Sequence, residues 1–95
     1  MSKNSKNGKK LISNVEEFDQ LLEEKEAFFV LFSNEACGAC KLAEKNINQV
    51  INSFANLDFY EVKLNQTPEI FERYGIKSAP VSKVFKEGEA VYTGF

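Results

Sequence analysis

The sequence predicts an α/β domain built on a mixed sheet of four or five strands that is flanked by helices. The apolar run 27–32 has the length of a strand and is rich in aromatic and β-branched residues, which is typical of a strand buried on both faces. Helical and strand patterns also alternate along the chain in the order β-α-β-α-β-α-β-β. In that order the first three strands should be parallel, and the last two, joined by a tight turn, should be antiparallel.

The first elements are a short strand and a capped helix. Residues 9–13 are a candidate edge strand, and Ser13 or Asn14 then caps a helix. Asn14 and Glu17 have the spacing of a capping box, in which two side chains satisfy backbone N–H groups at the helix start. The charged run 23–26 ends the helix before the buried strand begins. The apolar residues of the helix recur at the helical period: Val15, Phe18, Leu21 and Leu22.

A long helix and an alternating strand follow the buried strand. The loop 33–36 leads into an amphipathic helix that we predict from Cys37 to about Ala55. Residues 57–64 alternate between two faces, as a strand does. One face carries Phe59, Glu61 and Lys63, and the other carries Tyr60, Val62 and Leu64.

Turn residues delimit the last helix and a hairpin. Thr67 is placed to cap a short helix with Pro68 at its first position, and Gly75 fits the left-handed position that ends it. Residues 81–93 then read as two strands joined by a turn at 87–88.

Composition and charge exclude several classes of function. The chain has 95 residues, which allows one domain, and it has no histidine. The missing histidine excludes Ser-His and Cys-His nucleophile pairs and every His-ligated metal site. Residues 1–10 carry four lysines and no acid, whereas acids outnumber bases in the rest of the chain. We therefore predict a flexible basic tail over residues 1–10, one domain over residues 11–95, and no nucleic-acid binding.

The apolar pattern argues against a membrane protein. The longest apolar run is 27–32, far short of the roughly 18 residues that a membrane span needs. The basic start of the chain is not followed by an apolar signal region. We therefore expect a cytoplasmic protein without a membrane span, and we expect a monomer.

Both cysteines lie in the tetrapeptide Cys37-Gly38-Ala39-Cys40, where the buried strand passes into the long helix. On a helix, positions i and i+3 place their Cα atoms about 5 Å apart, which is inside the range that disulfides allow. The helix N-terminus favours a thiolate at Cys37, so Cys37 should be the nucleophile. Cys40, one turn further along, should be the less exposed, resolving thiol.

The spacing alone leaves two alternatives open. The pair could be a structural bridge, although a four-residue ring stabilises by only about 2 kcal/mol and such bridges are rare in the cytosol. The pair could also supply half of a zinc site, because a dimer would bring four thiolates together. Its position, after a buried strand and at the start of a long helix, favours a redox motif.

Four segments carry a resemblance to a known family. They are the strand 28–32 that leads into Cys37-Gly38-Ala39-Cys40-Lys41, the run Val62-Lys63-Leu64-Asn65, the run Tyr74-Gly75-Ile76 with Ser78-Ala79-Pro80, and the run 85–89. In these segments the chain resembles thioredoxins, and the resemblance extends from about Val15 to Gly94. It implies a thioredoxin-like fold and thiol–disulfide exchange with protein disulfides. We expect the protein to act as a reductant, although the reverse direction, oxidation, uses the same atoms. Cys37 would match the attacking cysteine and Cys40 the resolving one.

The resemblance also implies supporting roles and partners. Pro80 would be a cis-proline that faces the cysteine pair, and the backbone of Ala79 and Val81 would pair with an extended substrate segment. A plain proline at the start of a strand is the alternative for Pro80. Gly38 and Ala39 would support the motif. No metal and no organic cofactor are implied, and a thioredoxin-reductase-like enzyme or a small thiol would supply electrons.

The chain departs from the family pattern near the cysteines. Ser33 and Ala36 stand where thioredoxins carry tryptophans, so the surface beside the motif should be less hydrophobic. Leu31 stands where the family has a buried aspartate that shuttles a proton to the resolving cysteine, so that route is absent. Lys63 matches the lysine beside that aspartate. Lys63 should contact Glu61, favour a thiolate at the cysteine pair or be solvated.

The end of the sequence is a further departure. The family's last helix should follow Gly94, and the sequence reaches Phe95, so we expect that helix to be missing. These departures keep a second hypothesis open, a thioredoxin-like binding or accessory module with weak redox activity. A zinc-bridged dimer is the third.

Overall fold

The computed structural model of the protein describes residues 9–51 and 57–94. The element order of the described chain confirms the predicted one. The elements are β1 (Lys9–Leu11), α1 (Val15–Glu24), β2 (Ala27–Ser33), α2 (Gly38–Ile51), β3 (Asp58–Lys63), α3 (Pro68–Arg73), β4 (Val81–Lys86) and β5 (Glu89–Gly94). The predicted end of the long helix near Ala55 lies outside the described residues. No helix in the described part of the chain could cross a membrane.

The sheet has five strands in the order β1-β3-β2-β4-β5. Strand β3 is parallel to both β1 and β2, whereas β4 is antiparallel to β2 and to β5. The mixed sheet and both sets of strand directions are therefore as predicted. The central strand, β2, places Phe29 between Phe59 on β3 and Val84 on β4. The loop that follows this strand leads to the cysteine pair.

Strand β1 begins inside the segment that the charge pattern assigned to the tail. Lys9 and Lys10 pair with Phe59 and Tyr60 of β3 and so belong to the sheet. The boundary expected between residues 10 and 11 falls within this strand. The reason is that parallel pairing uses the backbone, which a run of exposed lysines does not prevent.

Helix α1 begins with the predicted cap. The Oδ1 atom of Asn14 accepts a hydrogen bond from the Glu17 N–H at 2.8 Å. The Glu17 carboxylate accepts a second one from the Ser13 N–H, also at 2.8 Å. Two backbone donors at the helix start are therefore satisfied by side chains, which is the purpose of this sequence pattern.

Helix α3 begins with Thr67 at the cap position and Pro68 as its first residue, as predicted, but the Thr67 side chain makes no capping hydrogen bond. The Thr67 hydroxyl donates instead to the carbonyl of Lys63. Gly75 adopts the left-handed conformation, with a φ of 67°. Its N–H, and that of Ile76, close the last turn of the helix.

One side of the sheet, which we name the closed face, is covered by α1 and α3. Its core is largely aromatic, and neighbouring rings meet edge to face or stacked. The buried residues include Phe18, Phe28, Phe32, Tyr60, Phe71 and Phe85.

The other side, which we name the open face, is covered by α2. Its buried cluster is smaller and consists of Leu31, Ala43, Ile47, Ile51 and Phe59. Beside this cluster lies an apolar cavity of about 560 Å³ that Phe29, Val50, Leu57, Val84 and Tyr92 help to line. The cysteine pair is carried by α2 and thus belongs to the open face.

Candidate functional site

The loop after β2 brings Cys37 to the start of α2. It contains Ala36, whose φ of 51° is in the left-handed region, where an L side chain is strained by about 1–2 kcal/mol. The next residue is Cys37, and α2 begins at Gly38. This backbone turn ends the strand and starts the helix within a few residues.

The Cys37 sulfur occupies the cap of α2. The Cys40 N–H donates to the Cys37 Sγ at 3.0 Å, and the Lys41 N–H donates to the Cys37 carbonyl at 3.2 Å. A thiolate at this position would receive the same N–H group and the positive end of the helix dipole. The local geometry therefore favours ionisation of Cys37 in the reduced protein.

The two cysteines are joined in a disulfide, with their Cα atoms 5.2 Å apart. This separation agrees with the value of about 5 Å expected for positions i and i+3 of a helix. Cys37 is half-buried, whereas Cys40 is 4% exposed. An incoming sulfur atom therefore has better access to Cys37 than to Cys40.

A polar cavity of about 330 Å³ lies beside the cysteine pair. Lys63 also lines this cavity, but its Nζ lies 3.7 Å from the Glu35 carboxylate. Of the three alternatives for Lys63, contact with Glu61 is therefore not the one that the structure shows. Glu61 has other partners, and Lys63 is drawn to the loop that precedes Cys37. The residues around the cavity are Lys9, Asn34, Glu35, Ala36, Cys37, Cys40, Lys41, Glu44, Glu61 and Lys63.

Glu61 is a buried carboxylate on the cavity wall, and sequence reasoning did not assign it a role. It is 6% exposed, it accepts a hydrogen bond from the Ser33 hydroxyl at 2.6 Å, and it lies 2.9 Å from Lys9 Nζ. Lys9 also contacts Glu44 at 2.8 Å. A carboxylate between buried positions of a central strand was the available signal, because burial of a charge needs partners.

Lys9 stays charged in this setting. Burial by itself lowers the pKa of Lys9, but the hydrogen bonds and charges of Glu44 and Glu61 outweigh burial and raise the pKa above its ordinary 10.5. At neutral pH the Lys9 cation therefore pairs with the carboxylates of Glu44 and Glu61 beside the cysteine pair.

The Ala79–Pro80 peptide bond is cis, as the resemblance implied. Val81 opens β4 opposite Phe32 near the end of β2, so Pro80 lies at the same end of the sheet as the cysteines. Residues 79–81 are not among the described residues that line the polar cavity. These three residues are half-buried.

The residues between the cysteines are exposed and leave the pair accessible. A Cβ atom added at Gly38 would meet nothing within 4 Å, and Ala39 is exposed in the first turn of α2. In the described part of the chain, no three Cys, Asp or Glu side chains are grouped so that they could hold a metal ion. The site therefore consists of two sulfur atoms, the N-terminal end of α2 and a group of charged residues, Lys9, Glu44 and Glu61, which we name the charged wall.

Known proteins with a similar sequence and structure include thioredoxins. The family model described as Thioredoxin matches residues 9–94. Thioredoxin 1 of Plasmodium falciparum is 30% identical over 84 residues, which cover 88% of this chain and 81% of that protein. The thioredoxin of Mycoplasmoides gallisepticum is 32% identical over 80 residues, covering 84% of this chain and 80% of that protein. A solved structure of Plasmodium falciparum thioredoxin matches with a TM-score of 0.80 at 30% identity, covering 88% of this chain and 82% of that one.

Proposed function

The chain belongs to the thioredoxin family and is a thiol–disulfide oxidoreductase, and we propose that it reduces protein disulfides with Cys37 as the attacking thiol and Cys40 as the resolving thiol. The observation that carries the assignment is the Cys37 sulfur at the cap of α2, half-exposed and bonded to the buried Cys40. Reactivity and access both favour Cys37 as the first nucleophile.

The reaction proceeds in two exchanges. The Cys37 thiolate attacks one sulfur of the substrate disulfide, the substrate S–S bond breaks, and a mixed disulfide forms while the first substrate sulfur leaves as a thiolate. Cys40 then attacks Cys37, so that the Cys37–Cys40 bond forms and the second substrate thiol is released. Two electrons pass from the dithiol to the substrate, and the protein ends in the disulfide form.

Members of the family use their own cysteine pair as the redox centre, so the reaction needs no external cofactor. We propose that a thioredoxin-reductase-like enzyme or a small thiol restores the dithiol, and that the protein acts as a monomer in the cytoplasm, where such donors keep thiols reduced. Analytical ultracentrifugation and fractionation of the tagged protein test these last two proposals.

We assign the substrate-binding edge to Ala79, Pro80 and Val81. Pro80 has no N–H group, and the neighbouring backbone at the start of β4 is available to pair with an extended segment. Gly38 and Ala39 keep the approach to Cys37 uncrowded. The charged wall, with Lys63, makes the other side of the approach polar.

Reduction of insulin in the presence of a dithiol donor tests the proposal. Cys37→Ser should lose nearly all activity, because the remaining Cys40 is buried. Cys40→Ser is the matched control, and it should form a mixed disulfide that persists. A Cys37→Ser protein with full activity would contradict the assignment. The midpoint potential of the pair then decides between a reductant and an oxidant.

A binding module with weak redox activity is the second candidate. The observation that favours it is the small, polar surround of the pair, where Ser33 is buried against Glu61 and Ala36 is exposed without a large apolar side chain. Insulin reduction near background by a folded protein would support this candidate over the reductase.

A further inference from the structure

The second exchange needs a proton acceptor. Cys40 must lose its thiol proton before it attacks Cys37, since the thiolate is the nucleophile. Cys40 is only 4% exposed, so bulk water has little access to that proton. A carboxylate that shares the cavity with Cys40 would therefore speed release of the substrate by accepting this proton.

Glu61 is the buried carboxylate among the groups that share the cavity with Cys40. The cavity has two other carboxylates, but Glu35 is exposed and faces Lys63, and Glu44 is half-buried on α2. The cations that line the same cavity are Lys9 of β1, Lys41 of α2 and Lys63 of β3.

Glu61, Lys9 and Glu44 form one charge cluster, which we name the carboxylate–lysine triad. Lys9 lies between the two carboxylates, at 2.9 Å from Glu61 and 2.8 Å from Glu44. One cation with two carboxylates carries one net negative charge and becomes neutral on taking up one proton. Because Glu44 also contacts Lys9, protonation of Glu61 leaves the Lys9 cation with a carboxylate partner.

The triad also joins the cavity to solvent. The Glu61 side chain is 8% exposed, whereas those of Lys9 and Glu44 are 27% and 30% exposed. A proton taken up at Glu61 can therefore be exchanged with water along the same cluster.

We propose that Glu61 accepts the thiol proton of Cys40 in the second exchange, with Lys9 and Glu44 as its charge partners; this rests on the proposed function. The Cys40 S–H bond breaks and the proton passes to the Glu61 carboxylate. The Cys40 thiolate attacks Cys37, the Cys37–Cys40 bond forms, and the bond from Cys37 to the substrate sulfur breaks. The departing substrate thiolate takes the proton from Glu61, which returns to its ionised form.

Ellman's disulfide, 5,5′-dithiobis(2-nitrobenzoate), separates the two exchanges. Attack by Cys37 on this probe releases one thionitrobenzoate, and attack by Cys40 on the mixed disulfide releases the second, so stopped-flow absorbance gives both rates. Glu61→Gln should leave the first release unchanged and slow the second about tenfold or more near pH 7. The loss should shrink above about pH 8.5, where a thiol ionises without help.

Two variants keep the test sharp. Glu23→Gln changes an exposed carboxylate of α1, outside the cavity, and it should change neither release. Lys9→Met removes the cation that pairs with Glu61, on a strand at the sheet edge, and should move the pH midpoint of the second release upward. The second variant decides the question if Glu61→Gln does not fold.

Several outcomes would overturn the role of Glu61. They are a wild-type rate of second release in folded Glu61→Gln near neutral pH, equal slowing at every pH, or an unmoved midpoint in Lys9→Met. If wild-type protein shows no first release, or if Cys37→Ser keeps it, the proposed function fails instead.

Discussion

The two faces of the sheet are packed differently, and the chemistry lies on the more loosely packed one. On the closed face, aromatic rings from both helices and three strands fill the space, with centroids 5.1–6.4 Å apart. On the open face, a smaller, mostly aliphatic cluster borders an apolar cavity of about 560 Å³ and a polar one of about 330 Å³. Stability and reactivity are thus supplied by opposite sides of one sheet.

The difference follows from the side chains that alternate along the strands. Phe28, Val30 and Phe32 point to the closed face, whereas Phe29, Leu31 and Ser33 point to the open face. A polar residue at the end of the second series allows Glu61 to be buried with a partner. A site that must hold charges and admit a substrate excludes the dense packing that stabilises the fold.

Neighbouring phenylalanines on β2 give the largest expected effect. Phe28 is fully buried and stacks on Phe85 with centroids 5.2 Å apart, whereas Phe29 is half-buried beside the apolar cavity. Phe28→Ala should lower the free energy of unfolding by about 4 kcal/mol, and Phe29→Ala by about 2 kcal/mol or less. Urea unfolding of both variants checks this. Equal losses would remove the distinction between the faces.

Reduction of the disulfide should have the next largest effect. The ring that Cys37 and Cys40 close is short, so its loss should lower the free energy of unfolding by about 2 kcal/mol. Guanidinium unfolding with and without a reductant measures the difference. The variant with serine at both positions is the control, and its stability should not respond to the reductant. A much larger effect would make the pair a structural staple of the open face.

The triad should contribute a smaller, pH-dependent part of the stability. Lys9→Met should lower the free energy of unfolding by about 1.5 kcal/mol near neutral pH, because the buried Glu61 carboxylate loses its cation. The pKa of Lys9 is raised in the folded protein, so its contribution is present below 10.5 and is lost as pH rises through the folded pKa.

Thermal melts of Lys9→Met from neutral to alkaline pH provide the measurement. Lys10→Met on the same strand is the matched control, since Lys10 is exposed. If the difference between Lys9→Met and wild type stays constant above the folded pKa of Lys9, the ion pairs are not its cause.

The smallest effect is expected in the loop that crosses to the open face. Ala36→Gly relieves the left-handed strain but adds freedom to the unfolded chain, so the net gain should be about 0.5 kcal/mol. Ala39→Gly, in a helical conformation, should instead cost about 0.5–1 kcal/mol. Calorimetry of both variants tests the opposite signs, and a shared sign would argue against strain at Ala36.

Local signals in the sequence predicted most of the fold. The cap formed by Asn14 and Glu17, the left-handed Gly75 and the turn at 87–88 each act over a few residues, and each is found where the pattern put it. The helical spacing of the two cysteines likewise predicts their Cα separation. Such features depend on near neighbours in the chain.

The charged wall of the site was not predictable in the same way. Lys9, Glu44 and Glu61 come from β1, α2 and β3, and only the sheet order brings them together. Alternation placed Glu61 and Lys63 on the same face and so suggested the wrong partner. The partner of each charged side chain depends on which elements lie side by side in the fold: Glu61 contacts Lys9, and Lys63 lies near Glu35.

The central position of β2 has a consequence for local motion. Its backbone is hydrogen-bonded on both sides, to β3 and to β4. Four of its last five residues are buried, and the fifth is partly exposed. Amide protons there should exchange with deuterium last, at rates set by global unfolding. The loop that carries Cys37 begins at the end of this strand, so the point where the loop starts should stay formed until the whole domain unfolds.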